Sequence, residues 1–312
     1  MKPLILANTA KISHDEWLEL RRRFIGGSDA ATVVGLNPYS SRVSLYLDKK
    51  GMSAPKEESE AMRLGTDLED YVAKRFSEKT GKKVRRDRHM YLHPEYPFIG
   101  ADIDRRVIGE DAILECKTTR GGRWDFEAGE VPPYWYCQCL HYLNVETRAK
   151  KCYLAILHLG KGFYVFEIKR DEAQMNALLE AEISFWRDFV EKDVLPDPDG
   201  SESAREALKT AFSDTEETEA NLMSHEDDLA EYERLKAEET QVKKDIEQIK
   251  QRIQVTMGSA TAGFSERWRI TWKPQTRDSV DANKLREHFP EAYRECVRVS
   301  ASRVMRISKT EE

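Results

Sequence analysis

No apolar run in this 312-residue chain is long enough to cross a bilayer, which argues against a helical membrane protein. The opening segment, Met1-Lys-Pro-Leu-Ile-Leu-Ala-Asn-Thr-Ala-Lys11, holds too short an apolar stretch for a secretory signal, so a cytoplasmic location without membrane contact is expected. Cysteine is scarce: the five residues at 116, 137, 139, 152 and 296 are odd in number and lack CxxC spacing. Cys137-Gln-Cys139 has no second Cys/His pair at a suitable distance, so zinc and iron–sulfur sites are disfavoured and reduced, mostly buried thiols are expected. There is no internal repeat and no low-complexity tract.

An excess of basic charge is also missing. The net charge of −6 argues at first against a nucleic-acid partner. Its distribution weakens that objection, because residues 1–193 hold 31 Lys+Arg and 31 Asp+Glu, while the remainder holds 19 and 25. A neutral body can present local basic surface, and Arg21-Arg-Arg23 and Lys82-Lys-Val-Arg-Arg86 with Arg88 are the candidates.

What is present is enough for a sizeable core: 40% apolar and 34% charged residues. Ser13 followed by Glu16 reads as a capping box opening a helix over 13–23, which Gly26-Gly27 breaks. Ser28-Asp29 then caps a short helix ending near Gly35, and another covers about 42–50. From Glu57 to about Lys79, Met62, Leu64, Leu68, Tyr71, Val72 and Phe76 recur at helical spacing up to Gly81. Strands are expected near Val84, over 90–92, 99–108 and 111–118, and a helix from Pro132-Pro133 to Asn144. Strands at Lys151–Leu157 and Gly162–Ile168 follow, then a helix capped by Asp171 that reaches Val190. The order predicts an α/β sandwich with a mixed central sheet and one core, over 1–195.

Pro196-Asp-Pro-Asp-Gly-Ser-Glu-Ser203 reads as a linker, giving a linker and short helix over 196–224. Past it, Leu235, Val242, Ile249 and Thr256 occupy one heptad position, and Tyr232, Ile246 and Ile253 the other, with charge between. This predicts a coiled-coil-like helical arm over 225–257, ended by Gly258. Residues 258–312 are expected to form a small cap, with strands around Trp268-Arg-Ile-Thr-Trp272 and Ser302-Arg-Val-Met-Arg-Ile307.

The chemistry concentrates in Phe98-Ile-Gly-Ala-Asp-Ile-Asp104 and Ile113-Leu-Glu-Cys-Lys117. Alternation along the second strand places Glu115 and Lys117 on one face, with Asp104 on the partner strand. Two carboxylates suit a hard divalent cation, and the Cys116 carbonyl, between the acid and the lysine, can add a further oxygen. Lys117 can position a water or stabilise charge developing on phosphorus. Such a set fits a metal-dependent phosphodiesterase; a plain ion pair on a sheet surface is the alternative.

Taken together the segments resemble the PD-(D/E)XK nuclease superfamily, and within it the YqaJ-like viral recombinase family. The carriers are Trp17-Leu-Glu-Leu-Arg21 with Ile25-Gly-Gly-Ser28-Asp29, then Leu64-Gly-Thr-Asp-Leu-Glu69, Asp104, Glu115-Cys-Lys117 and Gln138-Cys-Leu-His-Tyr142. They lie in consistent order within about 13–192. The resemblance implies a restriction-endonuclease-like fold, Glu69 as an outer metal ligand or acceptor, and Gln138 holding Lys117 or the scissile phosphate. It also implies Arg21 and Ser28 on a terminal 5′-phosphate, with Arg22 and Arg23 as neighbouring contenders. Relatives often read Pro-Asp-Gly at the first ligand, where this chain has Asp102-Ile-Asp104-Arg105. Alignment on Ala101 selects Asp104, with Asp102 nearby as the competitor.

The activity so implied is a Mg²⁺-dependent 5′→3′ exonuclease on double-stranded DNA ends, with Mn²⁺ as a substitute. It would leave 3′ overhangs for recombination, work as a ring trimer and cooperate with a phage-type single-strand annealing protein. An endonuclease or junction resolvase using the same centre, and a non-enzymatic DNA-binding adaptor, are the competing readings.

Overall fold

Local signals at the N-terminus set the first elements of the computed structural model, which describes residues 2–53, 59–298 and 303–309. Strand β1 (Leu4–Asn8) precedes helix α1 (His14–Arg22). Ser13 Oγ accepts the Glu16 N–H at 3.2 Å and Glu16 Oε2 accepts the Ser13 N–H at 2.8 Å, the expected capping box. Helix α2 (Gly27–Val33) starts ahead of the expected Ser28-Asp29 cap. Asp29 works from inside the first turn, its carboxylate accepting the Gly26 N–H at 2.9 Å. Helices α3 (Arg42–Lys49) and α4 (Glu60–Thr80) follow, the latter ended by Gly81 at φ 72°. Glu57, the expected start of α4, lies outside the described residues.

The sheet region holds β2 (Val84–Arg86), β3 (His89–Leu92), β4 (Gly100–Asp102), β5 (Arg105–Val107) and β6 (Ala112–Thr119). After it come α5 (Pro133–Val145), β7 (Lys151–His158), β8 (Gly162–Lys169) and α6 (Glu172–Phe185), which runs into a π-helical turn over Trp186–Val190. One departure from the sequence reading shapes everything else. The strand expected over 99–108 is broken at Ile103-Asp104: β4 pairs with β3 in a three-stranded sheet (β1-β3-β4), while β5 joins a five-stranded sheet (β2-β5-β6-β7-β8). Asp104 therefore stands at the crossing between sheets, not within a strand.

In the larger sheet β6 and β7 are parallel and α5 is their crossover, while the other pairings are antiparallel. Alternation along β6 divides the layers. Ile113 packs with Leu154, Ile156 and the α5–α6 residues Leu140, Leu143, Met175 and Leu178. Ala112 and Leu114 point oppositely, against Val72, Ala73 and Phe76 of α4. Glu115 follows Ile113's side and so faces α5.

Helix α7 (Glu202–Ala211) sits beyond the Pro196–Ser203 stretch, yet Ala204 is buried with Val43, Leu45 and Phe185, and Ser203 Oγ lies 3.1 Å from Ser44 Oγ. The first compact unit accordingly runs Met1–Ser213, past the boundary read from composition. The second, Asp214–Glu312, contains α8 (Glu226–Met257), the hairpin β9 (Ala262–Phe264) and β10 (Arg269–Thr271), and the short helices α9 (Ala282–His288) and α10 (Pro290–Cys296). No strand forms over the described residues 303–309; Ser302 lies outside the described residues. Among the described residues no helix is long and apolar enough to cross a membrane.

A buried polar bridge fastens β4 to the helical layer. His141 of α5 lies 2.7 Å from Glu182 Oε1 through Nδ1 and 2.7 Å from the Gly100 carbonyl through Nε2. Both partners accept, so the ring carries two protons. Burial alone would lower its pKa, but the Glu182 carboxylate and the Gly100 carbonyl outweigh it and raise it. His141→Ala is expected to cost about 3–5 kcal/mol by leaving the Glu182 charge buried alone, read as a lower urea midpoint in tryptophan fluorescence. The native contribution is complete below the unfolded imidazole value of about 6.5 and is lost as pH rises through the raised folded value. The wild-type advantage should therefore be greater at acidic than at strongly alkaline pH.

Candidate active site

The break between the two sheets opens an edge of β6. Strand β5 covers β6 only at Arg105↔Leu114 and Arg106↔Ile113. Beyond Leu114 the main chain of β6 on that side meets a side chain instead: the Cys116 N–H donates to Asp104 Oδ2 at 2.8 Å. Because N–H and C=O of one strand residue point to the same edge, the Cys116 carbonyl also faces away from β7, toward the opening.

Glu115 is 3% exposed and is held from two directions. Lys117 Nζ lies 2.6 Å from its Oε1, and Gln138 Nε2 donates to the same oxygen at 2.7 Å while also reaching Tyr142 Oη at 2.9 Å. Glu115 Oε2 is buried and has no hydrogen-bond partner. The Asp104 carboxyl lines the same cleft as Glu115. Burial, the Glu115 charge and Glu69 drive the Asp104 pKa well above the carboxylate range, against Lys117 and the Cys116 N–H. Burial raises Glu115 as well, with Lys117 opposing. Burial would depress Lys117, yet Glu115 and Asp104 outweigh it and raise its pKa, so the ammonium persists. The Cys116 thiol is pushed far up by burial and by the same two acids, and stays protonated.

Glu69 reaches the cleft from α4, on the opposite layer. It is engaged by Arg105, and Arg86 lies 3.4 Å away. Among the described residues no three His, Cys, Asp or Glu side chains already converge to hold a metal ion. The donors that do converge are the Asp104 and Glu115 carboxyl groups, with the Cys116 carbonyl on the same open edge; Glu69 would have to leave Arg105 to join them. That oxygen-only set suits a hard divalent cation. The unpartnered Glu115 Oε2 is an acceptor that such an ion would satisfy.

A cleft of about 580 Å³ unites the remaining candidates: Glu69, Asp104, Glu115, Cys116, Lys117, Gln138, Arg21 and Ser28 all line it. Five carboxyl groups and four basic side chains face into it, so it holds an acidic excess that a cation would balance. On its far wall Arg21 Nη2 donates to Ser28 Oγ at 2.7 Å and its guanidinium lies 5.0 Å above the Trp17 ring. Arg22 and Arg23, the other sequence candidates, do not line this cleft. Asp29 lies 2.7 Å from Lys49, whose side chain is 1% exposed. Burial would raise the Asp29 pKa, but Lys49 and Arg21 outweigh it and hold it at about 2.

Asp102, the competitor of Asp104, is occupied elsewhere: Trp17 Nε1 donates to its Oδ2 at 2.6 Å. Burial raises its pKa against that bond. Sequence reading assigned no role to Tyr142, Trp17, Lys49 or Arg105, each of which grips one of the candidates. The Gln138/Tyr142 and Trp17/Arg21 pairs stand at i,i+4 spacing, the one available hint. Lys49 showed no hint, since only burial separates it from any lysine at a helix end.

Gly27 explains the double glycine. A Cβ there would lie 2.4 Å from Tyr142 Cε1 and 3.0 Å from Gln138 Cγ, so α2 approaches α5 directly over the residues that hold Glu115.

Residues 16–149 match the YqaJ-like viral recombinase domain. The uncharacterized protein YqaJ of Bacillus subtilis (strain 168) is 38% identical over 294 residues, covering 93% of this chain and 92% of that protein. Among solved structures, the alkaline exonuclease LHK-Exo of Laribacter hongkongensis superposes with a TM-score of 0.47 at 19% identity, over 57% of this chain and 93% of the other. A phage-related exonuclease of Haemophilus somnus 129PT gives a TM-score of 0.45 at 12% identity, over 56% and 97%.

Gly27→Ala is expected to destabilise the first unit by about 1–3 kcal/mol through overpacking. A thermal melt checks this; an unchanged midpoint would show that Tyr142 yields without cost.

Proposed function

This chain belongs to the YqaJ-like viral recombinase family, and from that premise we propose that its cleft hydrolyses the DNA backbone as a metal-dependent 5′→3′ exonuclease. The substrate is a double-stranded DNA end, and the product a 3′ single-stranded overhang for phage-type recombination. The observation that carries this reading is the buried Glu115 carboxylate, held through one oxygen by Lys117 and Gln138, with the other unpartnered beside Asp104. Glu182 also leaves one oxygen unpartnered in its pair with His141, but it does not line the cleft, whereas Glu115 does.

Asp104, Glu115 and the Cys116 carbonyl would hold Mg²⁺, with Mn²⁺ able to replace it, and Glu69 would join from the cleft mouth. Bound there, the ion would supply charge compensation at the phosphate and a more acidic water. The rest falls to the chain. Lys117, kept charged by its two acidic neighbours, orients the attacking water and stabilises charge on phosphorus. Gln138, locked by Tyr142, keeps Glu115 aimed at the cleft. Water adds to phosphorus, the P–O3′ bond breaks, and the 3′ oxygen takes up a proton.

Arg21 and Ser28 bind the terminal 5′-phosphate. Arg21 is preorganised by Trp17 beneath it and by Asp29 at 3.9 Å, and Ser28 lies in the first turn of α2. Cleavage at P–O3′ leaves a new 5′-phosphate on the shortened strand, so each step regenerates the group this wall recognises. A ring of three subunits and a single-strand annealing protein complete the proposal, as the family resemblance implies.

On end-labelled linear duplex with Mg²⁺, release of the 5′ label before the 3′ label is expected, and cutting of closed circles would replace the exonuclease with an endonuclease. Glu115→Gln is expected to lower the rate at least about 10²-fold while leaving the melting temperature intact. A fully active Glu115→Gln chain would remove the enzyme altogether. Arg21→Gln should erase the preference for 5′-phosphorylated over 5′-hydroxyl ends, a loss of roughly 10–100-fold for one charged hydrogen bond of about 1.5–3 kcal/mol. Equal rates on both ends in the wild type would relocate the phosphate site.

A further inference from the structure

We infer that α8 is a self-association element, through which copies of this chain join as a parallel, in-register coiled coil. The helix has 32 residues, roughly 48 Å at 1.5 Å per residue, and no buried residue. Its apolar residues are nonetheless not scattered. Tyr232, Leu235, Val242, Ile246, Ile249 and Ile253 form one stripe at spacings of three and four, interrupted once at Glu239, each at least 36% exposed. With Tyr232, Ile246 and Ile253 at position a and Leu235, Val242 and Ile249 at d, the stripe is a heptad seam left exposed among the described residues.

The flanking charges choose the occupant. In this register the g positions are Glu231, Glu238, Asp245 and Arg252, and the e positions are Lys236, Lys243, Lys250 and Met257, the last g–e pair being the one without opposite charges. In a parallel pair each g residue meets the e residue five places on in the other copy. That gives Glu231 with Lys236, Glu238 with Lys243 and Asp245 with Lys250, all of opposite sign. An antiparallel pair would set g against g and e against e, which brings acid to acid and lysine to lysine everywhere except where Arg252 meets an acid. The seam is thus complementary to itself in one orientation. Within the single helix these charges make only exposed pairs, such as Glu231–Arg234 at 2.6 Å and Lys250–Glu247 at 3.6 Å, which can be exchanged at little cost. Ile at both a and d accommodates more than two strands, so orientation and register are what the sequence specifies.

One position opposes association. Glu239 occupies an a site and is met by Lys236 at 2.7 Å and Lys243 at 2.6 Å; in register it would face its own copy.

The test uses the full chain with Cys296→Ser, carrying Ile249→Cys at d or Lys244→Cys at the outward f position, under mild oxidation. Subunit-to-subunit crosslinking is expected at Ile249→Cys and not at Lys244→Cys. Adding Ile246→Lys should abolish it while circular dichroism shows the helix retained, since no packing inside the chain is lost. Glu239→Ile should lower the concentration at which sedimentation shows association, by at least about tenfold, because it removes the charge that interrupts the apolar stripe. An uncrosslinked Ile249→Cys chain, or one that crosslinks no better than Lys244→Cys, overturns the inference. DNA digestion by the same samples reads the nuclease proposal separately.

Discussion

The arrangement on which the first unit depends is the pair of carboxyl groups at the break between its sheets. The Glu115 charge is close enough to make ionisation of Asp104 unfavourable, and burial works against ionisation of both. Lys117 and Gln138 relieve one oxygen of Glu115, and the Cys116 N–H one oxygen of Asp104. The remainder of that cost is unrelieved within the chain, and a cation is the simplest group that would relieve it.

The fold serves this arrangement in several ways. The parallel β6–β7 pair needs a crossover, and the crossover helix α5 is the one that delivers Gln138 and Tyr142. Gly27 lets α2 reach those two residues, which places Arg21 and Ser28 across the cleft from Glu115. His141, one residue from Tyr142, grips Gly100 and so fixes the start of the strand that leads to Asp104. A single helix therefore ties the acidic pair to the guanidinium wall. Substitutions well away from the reacting groups are transmitted through it.

The second unit follows a different logic. Its longest helix buries nothing within the chain, and its stability as drawn comes from exposed ion pairs along the helix surface. A regular apolar seam on such a helix is costly in water unless another surface covers it. The first unit is built around cores of its own; α8 is built around a seam that lacks its other half.

Much was legible in the residues alone. Periodicity located α4, because apolar spacing reports directly on which face is buried, and the double proline marked the start of α5. Glu115 and Lys117 could be put on one face, since alternation in a strand is a covalent matter. Two things were not legible. Asp102 and Asp104 look equivalent in sequence, and only the sheet crossing at Ile103 turns one to Trp17 and the other to Cys116. Lys49 and Arg105 look like ordinary surface charges, and become buried partners only when distant segments close over them. Local order is set by neighbours along the chain; which charge meets which across the cleft is decided by packing between segments far apart in it.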